Sequence, residues 1–438
     1  MNKRFALISL GCPKNLVDSE TFSYIALKHG YKQAEDFTEL DFVFINTCSF
    51  IRDAITELTK VLKTISSYKT KGKVNRVFVS GCIMKRYLKQ MQQQFPEVDA
   101  WIPIRDFKRF EQLIAKHTLD EYKRDLLTEG PYAYLKISDG CSNRCSYCTI
   151  PSIRGKLCSQ DIGSLVKEAK QLAKLGAKEL IIIAQDTTAY GLDIDKRKAL
   201  PDLLKHLHDI NGFHWMRLMY LHPMHVDREL VKTAAELPKL VPSFEMPLQH
   251  CNDGILKAMN RHYKKQDIIR TYELFKTEMP DCEFRTTFMT GFPGEGNSEF
   301  KELLQFVQDF RFLRMGVFAF SPEPGTPAYV MSERVSSRTA VKRRNELLTL
   351  HRGLSEQYLA DYIGTEVEVL VEESGRGTDS CTGRAWFDAP EIDGIVSFSG
   401  KGCQPGEIVK VMIEDVIDID LFGRFSKVVH KSDHKFEE

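Results

Sequence analysis

The sequence has no apolar run near the roughly 18 residues that a membrane-spanning helix requires, so no helical span and no membrane association are expected. It has almost no net charge. Its 61 Lys and Arg stand against 60 Asp and Glu, and +1 gives the chain as a whole no push toward nucleic acid or anionic lipid. It lacks internal repeats and low-complexity stretches, which excludes solenoids. The opening MNKRFALISLGCPKN begins with basic residues, but its apolar run is short and enters a strand, so no signal peptide is read. Cysteine, by contrast, is plentiful, at eleven residues. Without an export signal these read as metal or redox chemistry in a reducing cytoplasm, the expected location, and not as a disulfide scaffold.

At 438 residues the chain exceeds one ordinary core. Strand and helix patterns alternate over the first hundred residues: strand 4–11, helix 14–29, strand 41–47, helix near 53–67 and strand 76–80. That alternation predicts a parallel sheet with helices on its faces. Residues 105–130 read as a polar, helical linker. A second alternating region follows, with strands at 132–137, 179–185, 215–221, 243–248, 283–290 and 315–320, which predicts a partial (β/α)6 barrel. A long charged helix is expected over 334–361, then short β-rich runs separated by Gly and Pro, which predict a small antiparallel barrel. The expected class is α/β with domains at 1–120, 127–362 and 363–430 and a polar tail at 431–438.

Six cysteines form two groups. Cys12, Cys48 and Cys82 each end a strand-like run, FALISLGC, FVFINTC and RVFVSGC. In parallel sheets ligands sit at the carboxyl ends of the strands, so these three can converge on one crevice. Cys141, Cys145 and Cys148 form a tight CxxxCxxC directly after the first barrel strand, at the mouth where barrels of this kind place their sites. A structural zinc would need a fourth ligand, usually a further CxxC or HxxxH pair, and none is adjacent. Cys158 is the nearest other thiol and fits either reading. Short, loop-borne thiolate spacings of this kind hold iron–sulfur clusters. Other strand ends offer polar groups to the same mouth: Gln185 and Asp186, His222, Gln249 and His250, and Thr290 with Gly291. Cys251, Cys282, Cys381 and Cys403 match no ligand pattern and read as structural.

With Tyr147 beside its last cysteine, the CxxxCxYC run resembles the signature of the radical S-adenosylmethionine (SAM) superfamily. The order of a three-cysteine α/β domain, that barrel and a small β-barrel resembles the methylthiotransferase family, up to about residue 430. The resemblance implies two 4Fe–4S clusters. One, on Cys141, Cys145 and Cys148, binds SAM and generates a 5′-deoxyadenosyl radical; the other, auxiliary cluster, on Cys12, Cys48 and Cys82, carries the sulfur. It further implies two SAM molecules per turnover, one as methyl donor and one as radical source, with SAM contacts among Tyr147, Gln185, Asp186, Gln249 and Thr290. No catalytic residue is expected beyond the clusters. A reductase as electron donor and a separate sulfur source are implied partners. The C-terminal barrel is the family's TRAM domain.

The family has a tRNA branch, acting on adenosine, and a branch acting on an aspartate β-carbon of small-subunit ribosomal protein uS12. The runs SLGCPKNLVDSE, NTCSFIRDA, IPSIRGK and AQDTTAYG resemble the second. Charge agrees: residues 363–429 hold 13 acidic and 6 basic groups, a net of −7, where a tRNA-gripping domain needs cations. Direct RNA binding is therefore not expected, and a basic protein partner is. Trp386, Phe387 and Asp388 form a candidate contact loop, or else core and turn residues. The alternatives are the tRNA branch and a non-enzymatic two-cluster carrier.

Overall fold

The computed structural model describes residues 3–128, 130–194, 196–375 and 379–430. The tail expected at 431–438 lies outside the described residues.

The N-terminal sheet is parallel throughout, with strands in the spatial order Tyr31–Gln33, Lys3–Ser9, Leu40–Thr47, Val74–Gly81 and Ala100–Trp101. Alternate residues of Leu40–Thr47 serve opposite faces, as a pleated strand requires. Val43 and Ile45 pack under Leu58, Leu62 and Ile65 of the helix Arg52–Thr70. Phe42 and Phe44 pack under Phe22 and Ile25 of the helix Pro13–Lys28. The segment read as a linker is only partly one. Its helix Phe107–Ile114 carries Phe110 into this second layer, edge-on to Phe22 and Phe44, so it belongs to the N-terminal core. Isolated aromatics on a short, polar helix give no sequence sign of that docking.

The central sheet has six parallel strands in sequence order: Tyr132–Lys136, Glu179–Ile183, Trp215–Leu218, Leu240–Glu245, Glu283–Thr290 and Arg314–Ala319. The first and last are not bonded, so the barrel is open. The long helix Ser337–Ala360, capped by Ser336, covers the last strand; its His351 and Ser355 side chains bond the carbonyls of Phe312 and Leu313.

The C-terminal unit is a closed barrel of five strands, Glu366–Ser374, Ser380–Ala385, Val396–Ser399, Ile408–Ile417 and Asp420–His430. Four of its pairings are antiparallel, but Val396–Ser399 and Asp420–His430 run parallel. Directions cannot alternate all the way round a ring with an odd number of strands, so one parallel pair is unavoidable.

The loop after Ser380–Ala385 is core, not a contact loop: Phe387 is 2% exposed and Asp388 0%. It enters the central barrel at the ends where the strands begin. Ala389 packs with Tyr132, Tyr134, Ile181 and Ile183. Around it three ion-paired contacts cross the junction. Arg217 and Arg384 both donate to Glu179, at 2.6 and 2.8 Å. Arg314 donates to Asp388 at 2.7 Å, and Arg285 to Asp393 at 3.1 Å. Burial nevertheless pushes the Asp388 carboxyl up to about 7.

Candidate functional site

The loops that leave three adjacent N-terminal strands deliver Cys12, Cys48 and Cys82. Two glycines let them crowd. Gly11, at φ +97°, lies where a Cβ would fall 3.2 Å from the Cys48 sulfur, and Gly81, at φ +100°, where one would fall 2.4 Å from the Thr47 carbonyl oxygen. Asn15 ties the loops together, its amide donating to the carbonyls of Leu10 and Thr47 at 3.0 and 2.8 Å. Burial pushes the Cys48 thiol up to about 12 and also raises Cys82, against the pull of Arg154.

Cys141, Cys145 and Cys148 lie in the loop that leaves the first barrel strand. Ser146 fastens that loop to the segment after the fourth strand, its N–H and hydroxyl donating to the carbonyls of Met259 and Ala258. Burial pushes Cys141 up to about 11 and Cys148 up to about 12.

All six cysteines line one cavity of about 780 Å³ between the N-terminal sheet and the barrel mouth. Among the described residues no three of their sulfurs come within 4.8 Å of one another. Ligands of one tetrahedral zinc, at about 2.3 Å from the metal, sit about 3.8 Å apart. Each set is therefore spread too widely for a single zinc ion and suits a polynuclear group with three thiolate ligands. Such binding requires the thiols to lose their protons, which their burial opposes until metal is present.

Tyr147, Gln185, His222 and Gln249 also line the cavity. Gln249 and Tyr220 hold left-handed backbone, at φ +68° and +62°. Non-glycine residues in that region cost about 1–3 kcal/mol each, and such strain concentrates at functional sites. Asp186 lies one layer behind, accepting from Asn143 at 2.7 Å and Thr188 at 2.6 Å and paired with His225 at 2.9 Å. Although burial opposes it, the bond from His225 and the nearby imidazoles hold the Asp186 carboxyl down to about 2. Burial pushes His222 down to about 3, so its ring is neutral at pH 7. Thr290 is turned away: its hydroxyl donates to the Ala340 carbonyl at 3.0 Å and fastens the fifth strand to the long helix. His250 is fully buried and accepts from the Asn252 N–H. Cys158 is exposed and lines no part of the cavity.

Two arginines of the site are not evident from the sequence. Arg154 bonds Asp139, at 3.1 Å, and Asp18, at 3.2 Å, and so bridges the barrel loop to the N-terminal helix beside Cys12 and Cys82. Arg261 donates to the Tyr147 hydroxyl at 3.1 Å and lies 3.9 Å from the Cys145 sulfur. Arg154 stands inside IPSIRGK, a run that drew notice for its wording only. Arg261 follows a helix with nothing in its spacing to mark it.

Residues 4–103 match the model described as Uncharacterized protein family UPF0004, residues 135–307 the Radical SAM superfamily, and residues 363–425 the TRAM domain. The chain is similar to Ribosomal protein uS12 methylthiotransferase RimO of Thermotoga maritima, at 37% identity over 431 residues, covering 96% of this chain and 99% of that protein. It is 40% identical over 439 residues to the RimO of a Thermoanaerobacter species (97% and 100% covered) and 38% identical over 436 residues to that of Clostridioides difficile (96% and 98%). Among solved structures, the radical SAM methyltransferase TsrM of Kitasatospora setae superposes with a TM-score of 0.56 at 13% identity, covering 75% of this chain and 77% of that one. The cobalamin-dependent SAM radical enzyme OxsB gives 0.51 at 11% identity, covering 79% and 56%. At such identities the superpositions speak to fold alone. Three models matched in order, and relatives aligned over nearly their whole length, show that the chain belongs to the RimO methylthiotransferase family and is a radical SAM enzyme.

Proposed function

We propose that this enzyme replaces a hydrogen on the β-carbon of an aspartate of ribosomal protein uS12 with –SCH3, using two 4Fe–4S clusters and two SAM. The observation that carries the proposal is the meeting of two three-thiol sets, from two different sheets, in one cavity. Cys141, Cys145 and Cys148 would hold the SAM-cleaving cluster, and Cys12, Cys48 and Cys82 the cluster that carries sulfur. When bound, the first supplies the electron for reductive SAM cleavage, and the second supplies the sulfur. The chain's own residues do the positioning. Arg261 places positive charge beside Cys145 and orients the Tyr147 phenol. Gln185 and Gln249 present amides to the cavity, where SAM would need hydrogen-bond partners. Arg86 bonds Glu323 at 3.1 Å and so ties the N-terminal domain to the loop after the last barrel strand. The substrate assignment rests on the uS12 named in the relatives and on the acidic C-terminal barrel. A reductase and a separate sulfur source complete the proposed cycle.

The test is anaerobic reconstitution with iron, sulfide, SAM and reductant, offered uS12 and tRNA together. Product spectra should show 5′-deoxyadenosine and one –SCH3 in place of hydrogen on a uS12 aspartate. A thiomethylated tRNA nucleoside instead would assign the chain to the tRNA branch. Absence of 5′-deoxyadenosine would leave only a carrier role.

A further inference from the structure

Lys14 is buried, 9% exposed, two residues beyond Cys12, and lines the same cavity as both cysteine sets. Its ammonium lies 3.3 Å from the centroid of the Tyr220 ring. The other cations of the site are committed. Arg154 is taken by Asp18 and Asp139, and Arg261 by Tyr147 and the Pro247 carbonyl. Lys14 has the ring face and, among the described residues, no carboxylate partner within 4.0 Å. Burial draws the Lys14 pKa down; the charges that oppose this are Cys12 and then Glu245, a carboxylate already paired with Arg285 at 3.1 Å.

A ring face steadies an ammonium without accepting its three N–H groups as a carboxylate would. Tyr220, whose ring lies under Lys14, holds left-handed backbone. The result is a desolvated, uncommitted cation facing the space where the acceptor must lie. A carboxylate there gains charge-assisted hydrogen bonds that an amide of the same shape does not. In aspartate the β-carbon is bonded directly to the carboxylate carbon, so holding the carboxylate also fixes the carbon that reacts.

We propose that Lys14 receives the side-chain carboxylate of the substrate aspartate and makes the site select aspartate over its uncharged isostere. The inference rests on the function proposed above. The rival role for Lys14, balancing charge near Cys12, would act on every substrate alike.

Two uS12 peptides, with aspartate or asparagine at the modified position, distinguish these roles. Their binding to reconstituted wild-type enzyme, Lys14→Met and Lys14→Arg is measured by fluorescence anisotropy without reductant, with iron content confirming that each variant is folded and loaded. Wild type should prefer the aspartate peptide by about 10- to 100-fold. Lys14→Met should bring the ratio close to one, and Lys14→Arg should keep part of it. An unchanged ratio in Lys14→Met, whatever the loss of affinity, overturns the inference. Product analysis under reducing conditions, with tRNA offered beside the peptides, separates the two levels. Thiomethylation of the aspartate peptide with an unchanged ratio overturns Lys14 alone. Thiomethylation of a nucleoside, and of no peptide, overturns the functional reading and the inference with it.

Discussion

Glu179→Gln should loosen the junction between the central and C-terminal barrels. Glu179 is fully buried and accepts from two guanidiniums that are themselves 2% exposed, Arg217 and Arg384. Glutamine keeps the shape and removes the charge, and its NH2 must then face a donor. Breaking a buried pair in this way costs about 3–5 kcal/mol, chiefly because charge is left uncompensated. Arg384 retains Glu372 at 2.7 Å and Arg217 retains the Trp386 carbonyl at 2.9 Å, so the lower end, about 3 kcal/mol, is expected. Urea unfolding followed by tryptophan fluorescence suits the question, because Trp215 and Trp386 lie in the cluster at this junction. The first transition should move to lower urea in the variant, and limited proteolysis should release the C-terminal barrel sooner. Against burial, which raises it, Arg217 and Arg384 hold the Glu179 carboxyl below its ordinary 4.5. Its contribution is therefore complete above that value and is lost as pH falls through the depressed folded value, where wild type and variant should converge. A loss at pH 7 below about 1 kcal/mol would refute the reasoning and mean that the arginines are solvated or re-paired.

Cys145→Ala should abolish 5′-deoxyadenosine formation, while Cys48→Ala should leave it largely intact and stop sulfur transfer; loss of SAM cleavage in the Cys48 variant would contradict the proposed division of labour. Gly11→Ala places a methyl against Cys48, 2.7 Å from its Cβ, in backbone that disfavours any side chain by about 1–2 kcal/mol, so iron content after reconstitution should fall toward one cluster, with SAM cleavage retained. Burial pushes His351 down from its ordinary 6.5 to about 4, so the unfolded chain binds a proton there that the folded chain does not. Stability linked to it is complete above pH 6.5 and is lost as pH falls to about 4; His351→Gln, which can still donate to the Phe312 carbonyl, should lose about 3 kcal/mol less than wild type over that interval in denaturation curves.

Much of the fold was legible because period and punctuation agreed. Leu40–Thr47 and Val74–Gly81 are apolar runs ended by a cysteine, and each of the six barrel strands falls within a few residues of its expected place. That the six cysteines meet at one cavity was legible because strand ends are where such sheets place ligands. Contacts made only by tertiary folding were not legible. Thr290 sits at a strand end like Gln249, but a close approach to Ala340 turns it outward. Phe387 and Asp388 read equally as a contact loop or as core and turn residues in sequence, and only their docking where the barrel strands begin makes them core. Arg154 and Arg261 act through partners more than a hundred residues away, Asn15 and Asp18 for the first and Cys145 and Tyr147 for the second, and no local pattern encodes such pairs.

The loop after Ser380–Ala385 makes the C-terminal barrel part of the central barrel's interior. Its Asp388 pairs with Arg314 and its Ala389 packs against Tyr132, each the first residue of a barrel strand. The cavity lined by the cysteines lies at the opposite ends of those strands. One end of the bore is thus closed by the chain's own residues, and the other is left to ligands. A chain cut after the long helix would strip Arg314 and that apolar lining of their partners together, so the C-terminal barrel is a required part of the fold of the central one and not a detachable module.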